Sequence, residues 1–347
     1  MILPTSSLCE IADADFTRMA LHIPTQELRN KTILITGATG FFGTWLLSLF
    51  DWLNRTQNAH TQIIALSRNP KTFLEKTPRF NATSWLTFIE GDVRSFSFPD
   101  VPIDYIIHAA TDTSAASGQA PLHLFDTIVQ GTSHVLACAK QKKSTHILLV
   151  SSGAVYGAQQ PETTHITEKT LTAPSPLLTS NAYGEGKRVM ELLGAIHAQE
   201  TKANVVVARC FAFVGAGLPL DAHFAIGNFI RDALSKDRVT IRGGGTAERS
   251  YLYAADLAIW LVKLLVSGTS GQAYNVGSDR ALTIAELAHQ VVDILSPDKQ
   301  VLIEGKDDPN GGRNRYLPSI DLARTHCALD VWTDIAQAIN LTAAYRP

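Results

Sequence analysis

The segment that most restricts the fold of this chain is a short apolar strand, Thr32-Ile33-Leu34-Ile35-Thr36. It runs directly into Gly37-Ala38-Thr39-Gly40-Phe41-Phe42-Gly43 and an apolar helix through Leu46, Leu47 and Phe50. A continuous apolar run of this kind marks a strand buried on both faces of a parallel sheet. Glycines 37, 40 and 43 lie between strand and helix, where a phosphate-binding turn belongs. Gly37 permits the tight turn, Gly40 lets the backbone approach a pyrophosphate, and Gly43 allows close packing of helix on strand. The helix start then offers free N–H groups and a positive dipole end to an anion. The spacing is GxxGxxG rather than GxGxxG, and the competing reading is a glycine-rich turn with no ligand.

The pattern downstream repeats strand and helix. Apolar runs at Gln62–Leu66, Thr87–Glu90, Tyr105–His108, His146–Ser151 and Val205–Arg209 read as strands, with an amphipathic helix over Leu122–Lys140. Repeated β-α-β crossovers predict an α/β fold, a Rossmann-type doubly wound parallel sheet with helices on both faces. The dinucleotide-binding domain is expected over residues 31–213. Beyond Phe213 the texture changes to a glycine-rich, loop-broken region with a strand at Val239–Ile241, a helix at Ala254–Val266 and a strand at Gln272–Val276. Residues 214–347 are therefore read as a smaller, substrate-binding lobe, with segments near 251–280 returning to the sheet. Residues 1–30 form an N-terminal extension, either a short helix near Ala12–Leu21 packed on the core or a disordered leader.

With 45% hydrophobic residues in 347, the chain has ample material for a core and is not a disordered one. Thirty basic residues against 32 acidic give no electrostatic argument for nucleic acid or a membrane surface as partner. Four scattered cysteines, Cys9, Cys138, Cys210 and Cys327, lack metal-ligand spacing and read as reduced thiols. The run Leu257–Val266 is too short for a membrane span and carries Lys263, and the acidic N-terminus is unlike a signal peptide. The expectation is a cytoplasmic protein with no metal.

Nicotinamide cofactors are discriminated at the end of the second strand, where an acid holds the ribose hydroxyls of NAD and a base receives the 2′-phosphate of NADP. Here Ser67 takes the acid's place and Arg68 follows it. NADP is favoured and NAD remains open, since Arg68 stacked on adenine would be indifferent to the phosphate. Asp92, in Gly91-Asp92-Val93 after the third strand, either accepts from the adenine amino group or serves only the turn.

Tyr183 and Lys187 lie four apart, on one face of a helix. A free tyrosine has a pKa of about 10, and a neighbouring ammonium lowers it toward working pH. Such a pair can serve as an acid–base device, with Lys187 also able to hold the nicotinamide ribose, although the spacing alone also arises by chance. Ser151 and Ser152 end the apolar strand 146–151 at the carboxyl edge of the sheet, where ligands bind. A serine hydroxyl there can hydrogen-bond the oxygen being oxidised or reduced.

Together these residues resemble the extended short-chain dehydrogenase/reductases, the NAD-dependent epimerase/dehydratase family that works on nucleotide sugars. The resemblance runs from residue 31 to about 335. It rests on TGATGFFG at 36–43, GDV at 91–93, HAA at 108–110, SSGAVYG at 151–157 and YGEGK at 183–187. Arg249-Ser250-Tyr251, Tyr274-Asn275-Val276-Gly277 and the segment Arg313–Asp321 extend it. It implies that Tyr183 is the acid–base, Lys187 its partner and Ser152, rather than Ser151, the third catalytic residue. It further implies a cofactor site of Gly37, Thr39, Gly40, Phe41, Phe42, Gly43, Ser67, Arg68, Asp92, Val93, Ala109 and Ala110 with Tyr183 and Lys187. Arg249 and Arg315 would hold the substrate diphosphate, as guanidinium forks suit it. A homodimer is expected through the helices at Leu122–Lys140 and Tyr183–Ala198.

The departures narrow the reaction. Family dehydratases carry an Asp-Glu pair after the catalytic hydroxyl residue, and decarboxylases a Glu, whereas this chain has Gly153-Ala154. What remains is hydride transfer with tyrosine proton transfer, as in 4-ketoreductases and 4-epimerases. Ile128 and Ala212 replace asparagines usual in the family. The expected activity is an NAD(P)-dependent 4-ketoreductase of a nucleotide sugar, with a 4-epimerase that retains NAD as the alternative. A non-catalytic cofactor-binding regulator is the second alternative.

Overall fold

The structure is a computed structural model that describes residues 6–81, 83–111, 120–222, 224–306 and 314–345. The extension forms α1 (Leu8–Arg18) and a single turn, α2 (Thr25–Leu28). Helix α1 starts at Leu8 rather than near Ala12 because Ser7 and Glu10 make a reciprocal capping box. Its buried face, Ile11, Ala12 and Phe16, packs on the core, with Phe16 edge-on to Trp45 at 6.2 Å.

Asp15 fastens this helix. Its carboxylate is buried, accepts 2.7 Å from the Tyr253 hydroxyl, and is bonded by Arg18, which also donates to Thr333. Burial raises the Asp15 pKa, so the neutral Tyr253 donor suits it. Asp15→Ala strands that hydroxyl in the core and should lower stability by about 2 kcal/mol, read from the urea midpoint at unchanged slope.

The central sheet is wholly parallel. Its first part is built from β1 (Thr32–Thr36), α3 (Phe41–Gln57), β2 (Gln62–Ser67), α4 (Pro70–Lys76), β3 (Leu86–Glu90) and β4 (Tyr105–His108). It continues through α5 (Pro121–Lys142), β5 (His146–Ser152), α6 (Ala182–Thr201) and β6 (Asn204–Cys210). A seventh strand, Ala273–Val276, completes the order β11-β6-β5-β4-β1-β2-β3, with β11 the label for that last strand. Alternation along each strand feeds two cores. Ile33, Ile35, Ile63 and Ala65 face α3, while Leu34, Ile64, Leu66 and Ile106 face α5 and α6. Strand β1 pairs with β2 on one side and β4 on the other, so the chain reverses direction of travel between β1 and β4. That switch point opens a crevice at the carboxyl ends of the strands.

Past β6 come β7 (Phe213–Val214), α7 (Ala225–Ser235), β8 (Arg238–Ile241), β9 (Glu248–Arg249), β10 (Leu252–Tyr253) and α8 (Ala254–Ser267), which lead into β11. The chain ends with β12 (Leu282–Thr283), α9 (Ile284–Leu295), β13 (Gln300–Ile303), β14 (Arg315–Tyr316), α10 (Asp321–Cys327) and α11 (Ile335–Ala344). Short ladders β12-β9-β14 and β13-β8 make a smaller lobe beside the sheet. Helix α8 is apolar around its circumference because it is buried around its circumference, with Leu257 to Val262 and Leu264 at most 1% exposed. No helix of the described residues is long and apolar enough to cross a membrane.

Candidate active site

The turn after β1 is shaped by what its glycines lack. Gly37 has φ +71°, a left-handed conformation that favours glycine, and a Cβ there would stand 2.7 Å from the Ala109 carbonyl oxygen. A Cβ on Gly43 would lie 2.3 Å from the Ala38 backbone. The loop, the start of α3 and the Ala109–Ala110 segment after β4 therefore close on one another, and the Ala110 N–H donates to Thr36 Oγ1 at 3.2 Å. Helix α3 has Gly40 at its N-cap with no side chain on its first N–H groups, and Phe41 and Phe42 follow. This cradle fits a dinucleotide pyrophosphate, for which free N–H groups and a positive dipole end are the recognition elements.

At the adenosine end, Ser67 Oγ lies 3.0 Å from Thr39 Oγ1 and accepts from the Asn69 N–H at 3.2 Å. Ser67 thus secures the turn. Asp92 is held by Arg94, whose Nε and Nη2 each reach a carboxylate oxygen at 2.8 Å. Those bonds, the Arg94 N–H and the Arg68 charge hold the Asp92 carboxyl down at about 2, against the opposing effect of burial. Arg94 was not foreseen from the sequence, although its place two residues after Asp92 makes a bidentate pair possible. Val93 is buried beside it in the α5-side core.

The catalytic candidates converge where α6 meets the end of β5. Lys187 is 2% exposed, with Nζ donating to the Val150 carbonyl at 2.7 Å and to Thr111 Oγ1 at 2.8 Å. Its Nζ sits 5.9 Å from the Tyr183 ring centre. Burial brings the Lys187 pKa down to about 8. Two residues beyond Val150, Ser152 is buried and its Oγ accepts from the Ala154 N–H at 3.1 Å, capping the single turn Gly153–Tyr156. Helix α6 rests on that turn: a Cβ on Gly184 would stand 2.8 Å from the Ala154 carbonyl. Ser151 points elsewhere and donates to Glu191 at 2.6 Å. Tyr183, Lys187 and Ser152 are thereby brought to one corner of the crevice.

Gly153 explains its own identity. A Cβ there would lie 2.6 Å from the Tyr316 hydroxyl and 2.8 Å from the Phe211 ring. Tyr316 stacks on Phe211 at 4.6 Å, so two aromatic rings close the space a side chain at 153 would need. Of the other two departures, Ile128 is buried under Gly186 of α6, and Ala212 uses its carbonyl to accept from the Leu252 N–H. His108 of the HAA segment lies between Thr36 and Thr132, with burial bringing its pKa down to about 3, and is a neutral core residue.

The two arginines part company. Arg249 lines a cleft of about 810 Å³ in the smaller lobe, with Arg242, Lys236 and Lys306 among its walls. Arg315 is not one of that cleft's walls. Its guanidinium pairs with Glu248 and donates to the carbonyls of Pro161 and Thr163. Tyr316, opposite Arg249 in the β14–β9 register, links the cleft to the Ser152 turn. Arg313, where the C-terminal basic segment begins, lies outside the described residues.

Comparison with known proteins accords with this geometry. The model of the NAD dependent epimerase/dehydratase family matches residues 33–277. UDP-glucuronic acid decarboxylase 6 of Arabidopsis thaliana is 30% identical over 289 residues, 81% of this chain and 79% of that protein. UDP-glucuronic acid decarboxylase 1 of Danio rerio is 28% identical over 327 residues, 92% and 73% of the two chains. Among solved structures, UDP-glucose 4-epimerase of Thermotoga maritima with UDP-glucose superposes with a TM-score of 0.75 at 18% identity, covering 90% of this chain and 97% of that one. The dTDP-glucose 4,6-dehydratase of Bacillus anthracis in complex with NAD gives 0.72 at 20% identity, covering 90% and 95%. At those identities the structural likeness is one of fold.

Proposed function

Since the chain belongs to the NAD-dependent epimerase/dehydratase family, we propose that it moves a hydride at C4 of a nucleotide-diphosphate sugar, as a 4-ketoreductase. The observation that carries this reading is the Ser152-Gly153-Ala154 turn. Neither Gly153 nor Ala154 carries an ionisable side chain, and Phe211 and Tyr316 close the space beside Gly153. Proton transfer then rests on Tyr183, which gives its proton to the sugar oxygen while Ser152 hydrogen-bonds the same atom. Lys187, held by Val150 and Thr111, stabilises the phenolate left behind. The dinucleotide, when bound, supplies the hydride. In the 810 Å³ cleft, whose walls also carry Asp221, Asp232 and Glu304, Arg249 and Arg242 offer guanidinium groups to the substrate's diphosphate.

NADP is the cofactor this reading favours, because no carboxylate stands at Ser67 and Arg68 follows it. Arg68→Glu should weaken NADP binding by about 100-fold and NAD binding far less, since a lost charge-assisted phosphate contact amounts to roughly 2–3 kcal/mol. Titration calorimetry with both cofactors reads the difference, and equal losses would remove the argument. The direct test of the reaction is mass spectrometry of the small molecules released on denaturing fresh protein. NADP, NADPH or an empty site fits a reductase that exchanges its cofactor. Near-stoichiometric NAD would turn the reading to the 4-epimerase.

A second reading has its own support in the 30% identity to a UDP-glucuronic acid decarboxylase. Oxidation at C4 of a hexuronate makes a β-keto acid, which loses carbon dioxide with only the ketone oxygen held, a task open to Ser152 and Tyr183. Release of carbon dioxide from UDP-glucuronate would establish it. We also propose a homodimer through α5 and α6, on which Leu122, Leu192 and Ile196 are exposed at 70%, 60% and 45%. Light scattering at micromolar concentration should return twice the chain mass, and the mass of one chain would refute it.

A further inference from the structure

Glu191 stands on the catalytic helix one turn beyond Lys187, so that Tyr183, Lys187 and Glu191 follow one another at intervals of four along α6. Nothing above assigns it a task, yet few side chains in the protein are so thoroughly engaged. Its Oε1 accepts from Ser151 Oγ at 2.6 Å and from Arg209 Nε at 3.0 Å, and its Oε2 accepts from Arg209 Nη2 at 2.7 Å. Arg209 Nη1 donates to the Tyr156 hydroxyl at 2.8 Å, and that hydroxyl donates to Asn275 Oδ1 at 2.8 Å. Asn275 in turn donates to the carbonyls of Ile166 and Ser319, and its N–H to Glu168. One carboxylate therefore ties the last turn of β5, strand β6 and strand β11 to the helix that carries the acid–base pair.

We propose that Glu191 is a positioning residue for the Tyr183–Lys187 pair: through Ser151 it fixes the strand end that presents Ser152, and its charge stands one helical turn from Lys187. This rests on the reading of Tyr183 as the acid–base given above. Among the described residues, the charges around Lys187 leave this task to Glu191. From its own helix Lys187 meets Tyr183 and Glu191. From β6 it meets the Cys210 thiol, which burial pushes up to about 12 and keeps neutral, and Arg209 follows on the same strand. From β4 it meets His108, neutral in the core. Strand β5 offers only the Val150 carbonyl and the Ser151 hydroxyl, and the Glu185–Arg188 pair of α6 is more exposed. Burial works against the charge of Arg209 too, and the Glu191 bonds outweigh it, holding Arg209 firmly cationic. Without Glu191, two buried cations would remain, with no anion between them among the described residues.

The sign follows. Removing a negative charge one helical turn from Lys187 and two turns from Tyr183 lowers the pKa of both. The test is an ultraviolet titration of tyrosinate in protein saturated with oxidised cofactor, with the curve of Tyr183→Phe subtracted to isolate the Tyr183 step. Glu191→Gln should move that step down by about half a pH unit or more, a size expected of one nearby charge in a partly screened site. Glu191→Asp keeps the charge and should leave the step in place, which a purely structural role would not distinguish. If Glu191→Gln does not fold, Glu191→Gln/Arg209→Gln is compared with Arg209→Gln alone, and the step must lie lower in the double variant, because only the Glu191 charge differs between the two. A step unmoved or raised by Glu191→Gln in either comparison, or lowered equally by Glu191→Asp, overturns the proposal. If Tyr183→Phe removes no step below the ordinary tyrosine range, it is the reading of Tyr183 that fails.

Discussion

Replacing Tyr183 by phenylalanine should lower turnover about 1,000-fold while changing cofactor affinity far less, because the change deletes one hydroxyl and no packing surface. The magnitude is that of losing a positioned general acid–base group. The pair it belongs to also sets a pH dependence. Lys187 is buried with no salt-bridge carboxylate among the described residues, and burial brings its pKa down to about 8. Its charge is present below that value and is lost as pH rises through it, so the phenolate loses its support on the alkaline side. Turnover should therefore fall above pH 8, well before an ordinary lysine would titrate. Steady-state rates across pH 6 to 10 read both effects. A Tyr183→Phe enzyme with more than a tenth of parental turnover would deny Tyr183 the proton-transfer role.

Gly43→Ala should have an effect of comparable size by a wholly different route. The added methyl would stand 2.3 Å from the carbonyl of Ala38 and 2.4 Å from that of Gly37, and neither backbone atom is the movable end of a side chain. Helix α3 must lift from the turn that its own N–H groups are meant to complete. Overpacking against rigid surroundings costs about 3 kcal/mol or more, so cofactor affinity should fall by about 100-fold or more. Calorimetric titration with NADP and NAD measures it, and a Gly43→Ala protein that binds both as the parent does would show that the turn is not the pyrophosphate cradle.

Much of this fold was legible because local pattern and tertiary burial agree. Continuous apolar runs such as Ile33–Ile35 and Ile147–Val150 are buried on both faces of the sheet, so pattern alone located β1 and β5. Element ends were less legible, since hydrogen bonding rather than hydrophobicity sets them. Helix α1 begins where Ser7 and Glu10 cap it. The Ser7-x-x-Glu10 spacing is a readable signal that hydrophobic periodicity overlooks.

The site was legible where its residues are neighbours in sequence and illegible where they are neighbours only in space. Tyr183 and Lys187 share a helix face, and Gly37 and Gly43 share a turn. The closing of the Gly153 space by Tyr316, from 163 positions further along the chain, has no local signature. Nor has the engagement of Arg315 by Glu248, from 67 positions earlier in the chain. Glu191 lies between these cases. Its interval of four from Lys187 was visible, but its partners Ser151 and Arg209 come from two other strands.

The most direct measurement supplies nucleotide-linked 4-keto hexoses with NADPH deuterated at the transferable position and weighs the sugar product. The account predicts one deuterium at C4 of the product with the parent enzyme and none above background with Tyr183→Phe. Absence of label from every 4-keto sugar, together with loss of carbon dioxide from UDP-glucuronate and no net consumption of cofactor, would contradict it and make the chain a decarboxylase.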